Sequence, residues 1–476
     1  MDVDFAFEIL QRANQIMRRN AMQQKNITRI LMIVLVLTSI MLGGCWLEEP
    51  KVVLINLGDS YANGVQSGGG NVNQYTQVNS YPQVLADQMR EVIALRWNNP
   101  LVDMHKQRIN GYCLPYNVGV DGATIQSLLQ ETSDDSEYIN ELMKPIPAII
   151  RRPVTQLEAA EFVAGLYPDD TIKIITLFIG GNDILGTVNA GGGTQLTVPQ
   201  INAFLNDSAA GHDLDSVTAN LTTIVDRLAA IPNGHVFISN LPSVTAIAGL
   251  FSNEDIAHLA VYTNPTVNAM AEEEFMGFVP VGGFGMLPGL GGALAANDPT
   301  LNGTITAILA GGGNDAFSLT ADETSIIVKR TEAINAHIAF LSDHRQNVYL
   351  VDMVTFFDDV FSGNVIIGGV PIERRYGGGL FSLDGFHPSN TGYALIADVF
   401  IDSINTSGLL PEIPNADLET FWATEPYRDN DGDGYVAGPA DLSIIDPTFI
   451  SFLDCNDDDP AIFAPFPTDG MAGSCP

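Results

Sequence analysis

The sequence predicts an α/β layer fold for residues 51–410, on three observations. Short apolar, β-branched runs recur along this stretch and end in turn-forming residues, as buried strands do. Longer amphipathic segments with helical spacing alternate with them. The first of the runs, apolar and β-branched, reads as a buried strand.

Taken in order, Val52–Leu57 is the clearest strand, and it runs directly into Gly58-Asp59-Ser60. A serine hydroxyl is thereby set at the carboxyl end of a buried strand. Ser80-Tyr81-Pro82 opens a helix through Met89, with the serine as N-cap and the proline in the first turn. A weaker strand is expected near Leu114–Val118, followed by a mostly polar insertion of helical character over residues 134–170. Ile172–Ile179 and His235–Asn240 read as strands, with a helix from Asp213 to Ala230 between them. Residues 279–315 form a second insertion, rich in glycine and apolar side chains. Long insertions of this sort are often binding loops or lids, and a plain surface excursion is the alternative. A helix from Asp322 to Leu341, a strand at Asn347–Val351 and a last helix from Thr391 to Ser403 complete the pattern.

Both ends of the chain differ from this middle. Five basic residues (Arg12, Arg18, Arg19, Lys25, Arg29) precede an apolar stretch from Ile30 to Leu42. At 1.5 Å per residue that stretch is too short for a bilayer core of roughly 30 Å, so it reads as an export signal. It ends in Leu42-Gly43-Gly44-Cys45, which resembles a bacterial lipoprotein cleavage box. The expectation is a signal peptide over residues 1–44, lipidation of Cys45, a linker over 45–50 and a lipid-anchored place in the bacterial cell envelope, facing the outer membrane or periplasm, or else secretion. An ordinary signal peptide with an incidental Cys45 is the alternative. From Glu425 to Pro476 there are 11 acidic residues and one basic, and a separate small module is expected over 413–476, after a main domain over 51–412. Cys455 and Cys475 share that tail and are expected to pair as a disulfide, in keeping with export. Cys113 remains over, as a small buried hydrophobe. The formal net charge of −35 repels phosphate backbones and argues against a nucleic-acid partner.

The chemistry sits at strand ends. Ser60 needs a base, because a free hydroxyl is a poor nucleophile near neutral pH. His387 has a carboxylate placed locally to orient it: Asp384, three residues earlier, would accept the ring's Nδ1–H and leave Nε2 for the serine proton. Ile179-Gly180-Gly181-Asn182-Asp183 ends another strand with an amide side chain, and Asn117 to Thr124, containing Gly122, ends the weaker one. In open α/β sheets ligands bind outside the carboxyl ends of the strands, so these segments are expected to converge. Each donor aimed at a developing oxyanion there is worth roughly 3–4 kcal/mol.

Gly58-Asp59-Ser60, the glycine of Val120-Asp121-Gly122-Ala123, Gly180-Gly181-Asn182-Asp183 and Asp384-Gly385-Phe386-His387-Pro388 together resemble the four ordered blocks of the GDSL/SGNH hydrolase family. The resemblance covers most of residues 51–410. It implies a flavodoxin-like three-layer α/β/α sandwich with a parallel five-stranded sheet. It also implies Ser60 as nucleophile, His387 as base and Asp384 as its orienting acid. The oxyanion hole would comprise the Ser60 and Gly122 backbone N–H groups and the Asn182 side chain. The first block reads Gly-Asp-Ser-Tyr here rather than Gly-Asp-Ser-Leu. No Gly-x-Ser-x-Gly elbow occurs, which argues against a standard α/β-hydrolase.

In the tail, Asp429-Asn430-Asp431-Gly432-Asp433-Gly434-Tyr435 has carboxylates at the first, third and fifth positions of a calcium-type loop, with glycine at the sixth. Asp454, Asp457 and Asp459 stand where they could supply further oxygens. This resembles the Asp-rich calcium-binding repeats of bacterial surface proteins, and implies structural Ca²⁺ on Asp429, Asp431, Asp433, Tyr435, Asp454, Asp457 and Asp459. A merely acidic tail is the alternative. The whole reads as an exported serine esterase or lipase acting on a small-molecule or lipid ester, with no cofactor for catalysis and a membrane attachment through Cys45. Its rivals are a carbohydrate O-acetyl esterase of the same fold and a non-catalytic, calcium-dependent surface-binding protein.

Overall fold

All seven residues of strand β1 (Val52–Gly58) are buried, which requires cover on both faces of the sheet. In the computed structural model this cover is two layers of helices. The structure describes residues 50–67, 72–188, 196–248, 250–251, 279–280, 320–375, 377–431, 436–439, 453–454 and 456–458. The expected signal peptide with Cys45, nearly all of the 279–315 insertion, and Cys455 and Cys475 lie outside them.

The sheet has five parallel strands in the order β2 (Leu95–Arg96), β1, β3 (Ile172–Phe178), β4 (Gly234–Ser239) and β5 (Val348–Val351). This is the expected three-layer α/β/α sandwich. β1 and β3 pair along their full length, from Val52 opposite Ile172 to Gly58 opposite Phe178. Connections leave β1 in one direction and β3 in the other, so the strand order reverses between these two neighbours. Crevices for ligands form at such a reversal, outside the carboxyl ends.

Helix α1 (Ser60–Asn63) follows β1 at once, and α2 (Tyr81–Val92) begins after the expected Ser80 N-cap. The Ser80 hydroxyl itself donates backwards to the Gln77 carbonyl at 2.8 Å. The 134–170 insertion is helical as anticipated, and its last helix, α3 (Gln156–Ala164), lies against β1. Next come α4 (Gly181–Leu185), α5 (Leu214–Ala229), α6 (Ala321–Asp343) and α7 (Asn390–Ser407). α3, α5 and α6 form one layer, and α2 and α7 the other, where the Tyr81 and Phe400 rings stack 4.9 Å apart.

The expected strand at Leu114–Val118 is a correction. The fifth strand is Leu95–Arg96, which pairs only with Val52 and Val53. Residues 116–120 run beside the upper part of β1 without forming a strand of their own. The Asn56 N–H donates to the Tyr116 carbonyl at 2.8 Å, Val118 N–H to the Asn56 carbonyl at 2.8 Å and Val120 N–H to the Gly58 carbonyl at 3.1 Å. The edge of the sheet is thus shared by two segments, with residues 97–115 leaving it between them.

A buried polar knot fixes this arrangement. Asn56, in the middle of β1, donates to Asn117 Oδ1 at 2.8 Å and accepts from the Tyr81 hydroxyl at 2.6 Å and from Thr176 Oγ1 at 2.7 Å. Asn117 in turn donates to the Ala62 carbonyl of α1 at 2.7 Å. Each buried polar atom here is answered by another, so the knot ties β1 to β3, α1, α2 and residues 116–120 instead of destabilising the core.

Residues 413–431, expected to open a separate module, stay on the sandwich. Helix α8 (Leu418–Ala423) lies against α7. The buried Glu425 accepts from the Thr391 N–H at 2.7 Å and from the Tyr427 N–H at 3.1 Å. Asp429 N–H donates to the Gly377 carbonyl at 3.0 Å.

Candidate active site

Ser60 is the first residue of α1, placed there by a turn at Gly58 and Asp59. Gly58 has φ +151°, and a Cβ on it would lie 2.3 Å from the Phe178 carbonyl oxygen. Only glycine lets β1 come that close to the end of β3 while turning. Asp59 caps the helix, its carboxylate accepting from the Tyr61 N–H at 3.0 Å. Its pKa is pushed up to about 7 by burial, against the lowering effects of that bond and of His387. Ser60 itself is 7% exposed.

His387, the expected base, arrives from the other end of the chain. His387 Nδ1 lies 2.6 Å from Asp384 Oδ2. The other oxygen, Asp384 Oδ1, accepts from the Phe386 and His387 backbone N–H groups, both at 2.9 Å. Asp384 therefore builds the turn and orients the ring at once, which leaves Nε2 for a proton acceptor's role. Burial disfavours the carboxylate, but His387 and these bonds outweigh it and hold Asp384 below the usual carboxylate range. For His387, burial lowers the pKa, and the Asp384 charge and bond, with Asp121 and Asp59 behind them, raise it above the ordinary imidazole value.

Several bonds lace the arm that carries Ser60, residues 58–67, to the arm that carries His387, residues 380–393. The Tyr393 hydroxyl donates to the Val65 carbonyl at 2.7 Å, and Gln66 Nε2 to Asn390 Oδ1 at 2.9 Å. Ser67 N–H donates to Ser382 Oγ at 2.8 Å, and Ser382 Oγ donates to the His387 carbonyl at 3.0 Å. The Tyr61 ring lies 6.1 Å from the His387 ring, so the residue after Ser60 stands against that imidazole.

The two side-loop contributors also come together. Gly122, at φ +76°, is exposed, with open space where a Cβ would stand. Asn182 lies in the first turn of α4, and its Nδ2 donates to the Ala123 carbonyl at 2.9 Å. One amide hydrogen is committed to that anchor, and the same nitrogen carries a second. Asp183 adds a bond that sequence reasoning missed: buried at 1% exposure, its Oδ2 accepts from the Ile125 N–H at 3.0 Å. Burial pushes its pKa up to about 7, opposed by that bond. Asn182 and Asp183 together zip the Gly122 loop to α4. Asp59, Tyr61 and Ser382 were missed as well. The first two neighbour the nucleophile in sequence, while Ser382 carries no signal of its own.

The acidic tail separates into two sets. Among the described residues, carboxylate oxygens of Asp429, Asp431 and Asp457 lie within 4.8 Å of one another. Asp457 also holds Asn430 through its backbone N–H, at 2.9 Å, and its side chain. Burial raises the Asp457 pKa to about 7, and the Asp429 and Asp431 charges add to this against the Asn430 bonds. Asp454 is buried, with its N–H donating to the Val436 carbonyl at 2.7 Å. Asp433, Tyr435 and Asp459 lie outside the described residues. Cys113, expected to be buried, is half-buried.

Residues 54–400 match the sequence model described as GDSL-like lipase/acylhydrolase. No curated protein matches the chain. Among solved structures, an acetylxylan esterase from Geobacillus stearothermophilus aligns at 11% identity and TM-score 0.34, over 76% of this chain and 97% of its own. An extracellular lipase from Streptomyces rimosus aligns at 15% identity and TM-score 0.36, over 74% of this chain and 99% of its own.

Proposed function

This chain belongs to the GDSL-like lipase/acylhydrolase family and is an ester hydrolase, and we propose that it cleaves carboxylic esters through an acyl-enzyme on Ser60. The observation that carries this reading is the Asp384–His387 pair, locked at 2.6 Å and laced to the arm that bears Ser60. Neutral His387 takes the Ser60 proton at Nε2 while Oγ attacks the acyl carbonyl. The developing oxyanion is met by the Ser60 and Gly122 N–H groups and by Asn182 Nδ2. His387 then gives its proton to the leaving alcohol, and a water activated by the same imidazole releases the acid.

The lipid- or simple-ester reading and the carbohydrate O-acetyl one differ in the acyl group they favour. Initial rates of the full-length protein on p-nitrophenyl acetate and octanoate, beside Ser60→Ala, test both. Faster octanoate turnover that vanishes in the variant supports a lipase-like site. A strong acetate preference favours a deacetylase, and turnover surviving Ser60→Ala would place the nucleophile elsewhere. No Ser60-dependent rate on either ester would leave an unusual ester substrate or the non-catalytic surface protein as the readings to pursue.

The same proposal includes export, lipidation at Cys45 and attachment to the cell envelope, supported by the apolar stretch and Leu-Gly-Gly-Cys box that precede the domain. Palmitate labelling that depends on Cys45 tests it. It also includes a structural Ca²⁺ held by Asp429, Asp431 and Asp457. Three crowded carboxylates, one of them buried and raised toward protonation, suit a hard cation that takes oxygen ligands. A melting temperature indifferent to both chelator and added Ca²⁺ would count against the metal.

A further inference from the structure

We propose that Tyr61 is a positioning residue that sets the reach between nucleophile and base, by donating its hydroxyl to the Phe386 carbonyl at 2.6 Å. The proposal rests on the assignment of Ser60 and His387 made above. Tyr61 directly follows Ser60, and Phe386 directly precedes His387. One hydrogen bond therefore joins the backbone neighbours of both reacting side chains across 325 positions of sequence. The other bonds between the two arms attach farther from the chemistry, at Val65, Gln66 and Ser67 on one side.

The ring is fixed as well as the hydroxyl. It meets Phe178, the last residue of β3, edge-on at 5.4 Å and 75°, and Tyr393 edge-on at 6.3 Å and 80°. The His387 ring tilts against it at 6.1 Å and 56°. Tyr61 is thus held by the sheet on one side and by α7 on another, and it passes that rigidity to the loop carrying the base. Burial, with the Asp59 and Asp384 charges, drives the phenol's pKa far above its ordinary value, so the hydroxyl remains a donor throughout the working pH range.

The identity of the residue is what makes this bond possible. The block that resembles Gly-Asp-Ser-Leu has tyrosine in its fourth place in this chain. Leucine there could fill space against Phe178 but could not donate to the Phe386 carbonyl. A catalytic hydrogen bond is sensitive to shifts of an ångström or less, so a tether next to both partners acts on turnover rather than on substrate affinity.

The test uses the full-length protein with Tyr61→Phe and Tyr61→Leu, and Ser60→Ala as control. Tyr61→Phe keeps the ring and loses only the donor. Its kcat is expected to fall roughly tenfold to hundredfold, with KM within about twofold and the melting transition intact. Phosphonylation of Ser60 by a fluorophosphonate should slow in parallel, because it needs the same alignment. An unchanged kcat in Tyr61→Phe, with turnover abolished in Ser60→Ala, would overturn the positioning role and leave the nucleophile assignment standing. Losses that merely track the unfolded fraction across both tyrosine variants would overturn it too. Turnover persisting in Ser60→Ala would instead refute the catalytic reading on which the proposal depends.

Discussion

Replacing Asp384 by asparagine alters one atom and confronts the site with two poor choices. Asp384 Oδ1 accepts two backbone N–H groups at 2.9 Å, and Oδ2 faces His387 Nδ1 at 2.6 Å. If the new amide keeps its oxygen on the backbone, its NH₂ faces Nδ1. The ring must then carry its proton on Nε2, where it cannot receive the serine's. If the amide turns over, its NH₂ meets two buried N–H donors, each left unsatisfied at about 1–3 kcal/mol. In either case the charge-assisted bond, worth about 1.5–3 kcal/mol, is gone. A penalty of about 3–5 kcal/mol on the transition state corresponds to a fall of about 10²- to 10⁴-fold in kcat. The assay is the initial rate of p-nitrophenyl ester hydrolysis as a function of pH. Because Asp384 helps raise the His387 pKa, the rate of the natural protein falls as pH drops through that raised value. In the variant the residual rate should fall only at lower pH. A kcat within tenfold of the natural protein, or an acid limb that stays in place, would refute the reasoning. The pair also leaves a mark on stability. His387, being raised, contributes below its unfolded value of about 6.5 and loses that contribution as pH rises through its folded one. Asp384, being lowered, contributes above about 3.9 and loses it as pH falls. The excess melting temperature over Asp384→Asn should therefore be greatest between about pH 4 and 6.5.

Other substitutions probe different parts. Asn182→Ala removes the proposed oxyanion donor and the anchor to the Ala123 carbonyl, and should lower kcat by about 10²- to 10³-fold with a small change in KM, measured by steady-state kinetics. Gly58→Ala sets a methyl 2.3 Å from the Phe178 carbonyl at φ +151°, and should cost more than about 2 kcal/mol in chemical denaturation and reduce turnover, since Ser60 rides on that turn. Glu425→Ala strips the acceptor from the buried Thr391 and Tyr427 N–H groups and should cost about 2–4 kcal/mol, whereas Glu425→Gln should recover part of it.

The strands β1, β3, β4 and β5 were legible because each is a short, mostly apolar run, wholly buried in β1 and largely so in β3 and β4, a pattern that needs no partner to be recognised. The parts of the site at their ends were legible for the same reason: Ser60 and Asn182 follow β1 and β3 directly. The shared edge of the sheet was not legible. Leu95–Arg96 is too short to show any period, and residues 114–118 look like a strand because they are apolar and extended. What sets their place is Asn56, a polar residue inside an apolar run whose partners lie 61, 25 and 120 positions away. The burial of Asp59 and Asp183 was hidden too, since each follows a glycine or asparagine in a turn, where carboxylates usually meet water. The fate of Glu425 could not be read from composition, because an acidic stretch looks alike whether it floats or caps a buried helix.

The lacing of residues 58–67 to residues 380–393 also bears on when the protein becomes reactive during its own synthesis. A chain leaving the ribosome exposes its serine early, yet the histidine and the bonds that aim it come more than three hundred residues later. At about 5–20 residues per second that interval is tens of seconds. Throughout it Ser60 is an ordinary alcohol, with neither a base nor an oriented turn. On the proposed mechanism, hydrolytic power is withheld until the last strand and α7 have docked, and the appearance of activity reports the closing of a contact more than three hundred residues long.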